Sequence, residues 1–239
     1  MSVVDCFLFS DELDMLECRL HELGDVVDWF VLVEGDRTFQ GDPKDSVYDT
    51  NRERFANWSN RIVHVIAELP DGDAWTRERA QREAIFDGLQ ALPLEPDDTI
   101  VLSDVDEIWR PSIRVTDVPR PFAVLSQTMY VHNLGWRHPD RWDGPVVTHV
   151  EDLPPTFDIL RSCRLHERPP RVLNAGWHLS YFGGDDATRR KQFSFSHTEY
   201  RTVDMVARRK NGLHIDGTVL EPNFDFEDVP RWIPAGWMP

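Results

Sequence analysis

The segment that most constrains the fold of this chain is a short apolar run that leads directly into acidic residues. Thr99 to Leu102 reads Thr-Ile-Val-Leu, and Ser103-Asp-Val-Asp-Glu107 follows without a break. A β-branched run of this length, preceded by turn-forming residues, is typical of a strand buried in a parallel sheet. We therefore expect the acidic segment at the carboxyl end of a strand, which is where α/β sheets bind their ligands.

Strand and helix patterns alternate ahead of this segment. Val3 to Phe9, Trp29 to Val33 and Arg61 to Ile66 are predicted strands because they are short apolar runs between polar residues. Glu12 to Leu23 is a predicted helix, since its leucines recur at helical spacing, and a second helix is predicted from an N-cap at Asp73 to Leu92. Repeated units of this kind favour a parallel sheet with right-handed crossovers.

The second half of the chain is less regular. Phe122 to Met129 and Val146 to His149 are predicted strands, Arg137 to Pro145 a polar loop, and Ala187 to Phe195 a short helix. The C-terminal stretch, Asn223 to Pro239, is expected to pack on the surface. No repeat or linker separates the halves, and 239 residues suit one α/β unit, so we expect a single domain over 1–239.

The net charge argues against one class of partner. The formal charge is -16 and the isoelectric point is near 4.9, which opposes the phosphate attraction that supplies most nucleic-acid affinity. No nucleic-acid partner is therefore expected. Clustered carboxylates can instead hold a divalent cation, which can carry a phosphate-bearing ligand into an acidic cleft.

Cysteine spacing and hydrophobicity suggest a compartment. Cys6, Cys18 and Cys163 are an odd number without zinc-type spacing, so they are expected to be reduced and buried. The first residues carry no basic region, and no apolar run approaches the roughly 18 residues of a membrane span. We expect a soluble, cytoplasmic protein.

Asp104 and Asp106 are the clearest candidates for metal binding. Two aspartates one residue apart at a strand end can direct oxygen ligands toward one hard cation. The alternative is a solvated turn, which is what an isolated Asp-x-Asp sequence usually forms. The preceding apolar strand and the following Glu-Ile favour the metal-binding interpretation.

Two further clusters are candidate ligand sites. Asn174 to Gly184 combines glycines with Trp177 and His178, which could stack on or bond to a sugar; a tight turn with a core tryptophan is an equally good interpretation of Trp177. In the second cluster, Lys191 could neutralise a phosphate and His197 could offer an imidazole to a metal, although a lone histidine is often structural.

The order of the motifs resembles glycosyltransferase family seventeen over roughly Val4 to Tyr200. The motifs that carry the resemblance are Asp5-Cys-Phe-Leu-Phe, Glu12-Leu-Asp14, Glu17-x-Arg19-x-x-Glu22-Leu, Phe30-Val-Leu-Val-Glu34, Thr38-Phe, Arg77-Glu-x-x-Gln81-Arg, Ser103-Asp-Val-Asp-Glu-Ile108, Asn174-Ala-Gly-Trp-His178 and Phe195-Ser-His197-x-Glu199. This combination is far more specific than any single motif.

The resemblance implies an α/β fold of the GT-A type, with a mainly parallel central sheet flanked by helices. It also implies a donor-binding part over about 1–110 and an acceptor-binding, catalytic part over about 111–239. The implied activity is the inverting transfer of N-acetylglucosamine or a related hexose from a UDP-sugar to a glycan or protein-linked acceptor, with Mn²⁺ or Mg²⁺.

Site roles follow from the resemblance by position. Asp104 and Asp106 would bind the metal and the donor diphosphate or ribose, with His197 as the best additional metal ligand. Glu34 would face the nucleoside. The residues that would border the donor pocket are Arg77, Gln81 and Arg82.

An inverting transfer requires one carboxylate to take the acceptor proton. The candidates are Glu199, Asp186, Asp185 and Glu107, and the sequence does not rank them. A soluble bacterial or phage enzyme is the expected source, because the sequence shows no membrane anchor. Two other functions stay open: a phosphohydrolase of the haloacid dehalogenase type, which also places Asp-x-Asp after a strand, and a carbohydrate-binding protein that uses its tryptophans as stacking platforms.

Overall fold

A computed structural model describes residues 1–166 and 168–239. Its strands are β1 (Val3–Phe9), β2 (Trp29–Gly35), β3 (Ile62–Ala67), β4 (Thr99–Asp104), β5 (Glu107–Trp109), β6 (Phe122–Val131), β7 (Asn133–Arg137), β8 (Trp142–His149), β9 (Arg171–Val172), β10 (Gly176–Ser180) and β11 (Glu221–Pro222). Its α-helices are α1 (Leu13–Leu23), α2 (Val47–Thr50), α3 (Ala74–Glu83), α4 (Ile85–Gln90), α5 (Phe157–Ser162), α6 (Gly184–Ser194) and α7 (Met205–Lys210). Short 3₁₀ helices cover Arg52–Trp58, Val115–Asp117, Val150–Asp152, Cys163–Leu165 and Thr198–Tyr200.

The eleven described strands form one sheet, in which eight follow the order β11-β7-β6-β8-β4-β1-β2-β3. Off this path, β9 and β10 pair with β6, and β5 pairs with β10. The four strands β4, β1, β2 and β3 are parallel, and β8, β6, β7 and β11 continue the sheet as antiparallel strands. The expected α/β fold, with a central sheet flanked by helices, is confirmed. Parallel pairing also occurs in the second half of the chain, where β9 and β10 each pair with β6 in parallel. Because the sheet continues past residue 110, the predicted boundary between two parts is not a break in the sheet; the single-domain organisation stays a prediction.

Helices cover both faces of the parallel strands. Alternate residues of β1 belong to different clusters: Phe7 packs with α1 residues such as Leu16 and Leu20, whereas Cys6 packs with Ile85 of α4 and Phe157 of α5. All of these side chains are buried. A strand that is covered on both faces is apolar throughout, which is why the first strands were readable from the sequence.

The long helix predicted from Asp73 consists of two helices. Asp73 caps α3 as predicted, since its side chain accepts from the Thr76 backbone N–H at 2.7 Å, but the chain bends at Ala84 and continues as α4. Gly88 allows α4 to approach the sheet, because a Cβ at this position would lie 2.4 Å from Cγ1 of Val31.

The second half differs more from the prediction. The polar loop predicted over 137–145 is shorter in the structure, since β8 begins at Trp142, where Trp142 and Asp143 pair with Gln127 and Ser126 of β6. The helix predicted from Ala187 begins at Gly184, and the glycine-rich cluster contains strand β10. These elements depend on pairing with distant strands, which local composition does not reveal.

The remaining expectations concern the cysteines, the C-terminus and the membrane. All three cysteines are free and buried, as predicted. The C-terminal stretch packs on the chain: Trp237 is buried, and its carbonyl accepts from the Leu134 N–H at 2.9 Å. Within residues 1–166 and 168–239, no helix combines the length and the apolar composition that a bilayer crossing requires.

Candidate active site

The carboxyl ends of β1, β2 and β4 open into a cavity of about 560 Å³, called here the large cavity. Its strand-end lining includes Phe9, Ser10, Thr38, Phe39, Asp104 and Asp106. A second cavity of about 240 Å³, the small cavity, adjoins it and also contacts Asp106. The predicted position of the acidic segment at the ligand-binding edge of the sheet therefore agrees with the structure.

Asp104 faces the large cavity and is paired with an arginine that the sequence did not suggest. Its side chain is 42% exposed, and one carboxylate oxygen accepts from the Arg161 guanidinium at 2.8 Å. Arg161 lies on α5 and is itself 7% exposed. A distant helix thus supplies the counter-charge for the first aspartate.

Asp106 is paired with Lys191 of α6. The Lys191 ammonium lies 2.6 Å from the carboxylate, and Nε2 of His178 lies 3.6 Å from the same oxygen. Burial alone would raise the pKa of Asp106, but Lys191 and His178 hold it well below its usual range. Asp106 is therefore ionised at neutral pH and able to attract a cation or an ammonium group.

Glu107 is a buried support and does not face either cavity. Its side chain is fully buried and accepts two bonds from Arg161 at 2.6 and 2.8 Å, one from the Trp142 indole at 2.6 Å and one from the Asp104 N–H at 2.9 Å. Burial would raise the pKa of Glu107, but Arg161 lowers it to about 2. Protein donors occupy both carboxylate oxygens and neither cavity lining includes Glu107, so its role as the base stays a prediction that this geometry does not favour.

The backbone of the acidic segment is fixed by Arg19 of α1. This fully buried arginine pairs with Asp5 at 2.6 Å and donates to the carbonyls of Asp104, Val105 and Glu107 at 3.0 to 3.2 Å. Buried carbonyls need such donors, because an unpaired polar group in the interior is costly. The conformation of the segment therefore depends on a helix more than 80 residues earlier in the chain.

Glu34, which is predicted to face the nucleoside, does not line the large cavity. It is fully buried at the end of β2 and accepts bonds from Lys44 at 2.7 Å, from the Val47 N–H at 2.7 Å and from the Tyr48 N–H at 3.2 Å. Burial raises its pKa, but His64 and Lys44 bring it down to about 2. Glu34 positions Lys44, which does line the cavity.

Of the three predicted pocket residues on α3, one lines the large cavity and two lie behind its lining. Gln81 lines the large cavity, and its amide donates to the carbonyl of Val33 at 2.7 Å. Arg77 and Arg82 are not part of the lining: Arg77 donates to the Phe39 carbonyl at 3.0 Å, and Arg82 pairs with Asp158 at 3.0 Å. Both guanidiniums therefore support the cavity from behind.

Trp177 and His178 face opposite sides of β10, as neighbouring strand residues do. Trp177 is 3% exposed, and its indole donates to the Asp228 carbonyl at 3.0 Å, so the core interpretation is the one that the structure supports. His178 lines the large cavity, lies against Trp142 with ring centroids 4.5 Å apart, and keeps a buried Nδ1 without a hydrogen-bond partner among the described residues.

His197 lines the large cavity but is not placed with the acidic pair. Its Nδ1 lies 2.6 Å from Glu199, and its ring meets Trp75 edge-on at 4.8 Å. Asp104, Asp106 and His197 do not form a group whose ligand atoms lie within 4.8 Å of one another in the described chain. Carboxylate oxygens fit a hard divalent cation, so the acidic pair suits Mn²⁺ or Mg²⁺, while the structure does not add His197 to that set.

The other predicted bases lie outside both cavity linings. Glu199 is 56% exposed and bonded to His197, Asp185 pairs with Arg209 at 2.8 Å, and Asp186 is exposed in the first turn of α6. Glu12 is not among the predicted bases, yet it lines both cavities. Its position in the turn directly after β1, a ligand-binding edge, was the available signal.

Comparison with known proteins gives consistent results along the chain. A family model described as glycosyltransferase family 17 matches residues 1–215. Proteins named beta-1,4-mannosyl-glycoprotein 4-beta-N-acetylglucosaminyltransferase from Rattus norvegicus and Homo sapiens are each 33% identical over 267 residues. The alignments cover 96% of this chain and 44% of those proteins, so the chain spans less than half their length.

Similarity to solved structures is weaker. The galactosyltransferase LgtC in complex with donor and acceptor sugar analogs has a TM-score of 0.33 and 10% identity, with 64% of this chain and 59% of that chain covered. An active-site mutant of LgtC has a TM-score of 0.34 and 9% identity, with 94% of this chain and 88% of that chain covered.

The relatives also correct one expectation. They are mammalian proteins, so the expected cytoplasmic location in a bacterium or a phage-infected cell is wrong. The absence of an anchor signal in a sequence does not determine a compartment.

Proposed function

The chain belongs to glycosyltransferase family 17, and we propose that it transfers N-acetylglucosamine or a related hexose from a UDP-sugar to a glycan or protein-linked acceptor, with inversion. The observation that carries this proposal is that Asp104 and Asp106 both line the large cavity, Asp104 beside the buried Arg161 and Asp106 beside the partly exposed Lys191. A family of transferases also leaves no ground for the phosphohydrolase and the non-enzymatic alternatives.

The large cavity has the charges and the aromatic surface that a nucleotide-sugar requires. Lys44, Arg161 and Lys191 line it and can face a diphosphate, while Phe39 and Trp75 line the part formed by β2 and α3. Flat aromatic side chains bind bases and sugar rings by stacking, and cations favour phosphate. We place the nucleoside near Phe39 and the diphosphate near Lys191.

The acidic pair would hold the divalent cation. Asp104 offers a half-exposed carboxylate, and Asp106 is ionised beside Lys191. When bound there, Mn²⁺ or Mg²⁺ would neutralise the charge that develops on the leaving diphosphate. Arg161 and Lys191 keep both carboxylates oriented and contribute positive charge at the same position.

Glu12 is the carboxylate best placed to take the acceptor proton. It lies where the two cavities meet, and its Oε2 accepts from the Ser10 and Asp11 N–H groups at 3.1 Å each. Its Oε1 makes no hydrogen bond to the part of the chain that the structure describes, so this oxygen is free to accept from a hydroxyl. The small cavity beside it would hold the acceptor sugar.

A thermal-shift screen tests the donor site. Purified protein is heated with UDP-, GDP-, TDP- and CMP-sugars, with and without Mn²⁺, because a ligand raises the melting temperature of the state it binds. We expect a Mn²⁺-dependent rise with UDP-sugars that Asp106→Ala abolishes. The matched control is Asp186→Ala, an exposed carboxylate outside both linings, which should keep the rise. A folded protein that no nucleotide-sugar stabilises would contradict the proposal.

A further inference from the structure

A second group of potential metal ligands lies at the edge of the large cavity. His138, His214 and Asp216 each place one ligand atom within 4.8 Å of the other two. Among residues 1–166 and 168–239 this is the one group of three or more His, Cys, Asp or Glu side chains that meets this distance. His214 lines the large cavity, so the group can be reached from solvent through it.

His214 and Asp216 already pair with each other. The Nδ1 of His214 lies 3.0 Å from an Asp216 oxygen. The rings of His214 and His138 are nearly perpendicular, with centroids 5.1 Å apart. Two imidazoles and a carboxylate that lie this close together are the types of ligand that can share one divalent transition metal.

Backbone hydrogen bonds hold two of the three ligands in a tight turn. The His214 N–H donates to the Thr218 carbonyl at 2.9 Å, and the Gly217 N–H donates to the His214 carbonyl at 3.0 Å. Asp216 accepts from the Thr218 N–H at 2.8 Å and keeps an exposed side chain. The turn therefore fixes the ligand backbone, and rotation of Asp216 can shorten the remaining ligand separations.

His138 comes from the connection between β7 and β8. Its Nδ1 accepts from the Asp140 N–H at 3.1 Å, and Asp140 is exposed, so water can replace that bond if the ring turns toward a cation. The group thus joins two segments that are distant in sequence, one of which carries the cavity residues His214 and Ile215.

We propose that His138, His214 and Asp216 form a site for a borderline divalent transition metal such as Zn²⁺. Imidazole and carboxylate ligands suit Zn²⁺, whose bonds to histidine nitrogen are about 2.0 to 2.1 Å, whereas Mg²⁺ and Mn²⁺ prefer oxygen. The site is distinct from the acidic pair of β4 and needs no nucleotide. A cation here ties the turn at His214 to the β7–β8 connection and stiffens that wall of the large cavity.

Calorimetric titration of the metal-free protein with ZnCl₂, without nucleotide, tests the site. We expect one Zn²⁺ per chain, with roughly tenfold or greater weakening in each of His138→Ala, His214→Ala and Asp216→Asn. His197→Ala is the matched control, because it removes another histidine of the large cavity, and it should leave the affinity unchanged. Circular dichroism of each variant confirms that the protein is folded.

Asp106→Asn separates this site from the acidic pair. Zn²⁺ binding that survives Asp106→Asn and is lost in His214→Ala supports the proposal. Binding that is lost in Asp106→Asn and kept in His214→Ala places the ion at the acidic pair and overturns it. Absence of Zn²⁺ binding to the folded protein, or loss in only one of the three ligand variants, also overturns it.

Discussion

Replacing Glu107 with glutamine is expected to destabilise the fold, because Glu107 holds the site together from behind. The amide oxygen of glutamine can keep the two contacts of one carboxylate oxygen. Its NH₂ group must then face an Arg161 donor together with either the Trp142 indole or the Asp104 N–H. Two donors that face each other cannot bond. Arg161 is also left buried with Asp104 as its remaining carboxylate partner.

The magnitude follows from the pKa of Glu107. The drop from the usual 4.5 to about 2 corresponds to roughly 3 kcal/mol of stability, at about 1.4 kcal/mol per pH unit. Because the pKa is lower in the folded state, this contribution is complete above pH 4.5 and is lost as the pH falls toward 2. About 2 kcal/mol of it disappears between about pH 6 and about pH 3.

Urea unfolding of the wild type and Glu107→Gln at several pH values measures this contribution. We expect the variant to be roughly 3 kcal/mol less stable at about pH 6, and the difference to narrow by about 2 kcal/mol at about pH 3. Glu199→Gln is the control, since an exposed side chain should change stability by less than about 0.5 kcal/mol. A Glu107→Gln protein as stable as the wild type near neutral pH, with an unchanged pH dependence, would refute the reasoning.

Three further predictions address the other elements of the site. Glu12→Gln should lower kcat for transfer by about 10² to 10⁴, because the proton acceptor is lost, whereas the UDP affinity measured by calorimetry should stay within about twofold. A variant with wild-type turnover would exclude Glu12 as the base. Arg19→Met should lower the free energy of unfolding in urea by about 3 to 5 kcal/mol, because Asp5 is left buried without its partner; a loss under about 1 kcal/mol would contradict the buried pair. Gly176→Ala should lower the melting temperature, since φ is 147° and a Cβ would lie 2.2 Å from the Ile108 carbonyl; an unchanged value would show that the backbone relaxes there.

The parallel half of the fold was predictable because its signals are local. Each of β1, β2 and β4 is an apolar run whose two faces are covered, so composition alone identifies it. The position of Asp104 and Asp106 follows from the end of β4. In contrast, the start of β8 at Trp142 depends on pairing with β6, and a polar sequence does not reveal a partner strand.

The site was only partly predictable because its charges pair across long distances in sequence. No residue near Glu107 in the sequence indicates that Arg161, 54 residues later, donates hydrogen bonds to its carboxylate. Likewise, no residue near Glu34 indicates that its carboxylate pairs with Lys44. The sequence therefore indicates which acidic residues lie near the site, but it does not separate those that face a cavity from those that are buried behind it. Glu12 is not predicted from the sequence for the same reason, because only the folded structure shows that it lines both cavities.

Through these pairings, side chains from three helices fix the conformation of the acidic segment. Arg19 of α1 holds its carbonyls, Arg161 of α5 holds Asp104 and Glu107, and Lys191 of α6 holds Asp106. A substitution that moves any one of these helices changes the direction of a carboxylate without touching it. Donor affinity should therefore respond to changes far from the large cavity, and a loss of activity in such a variant does not by itself identify a residue that contacts the donor.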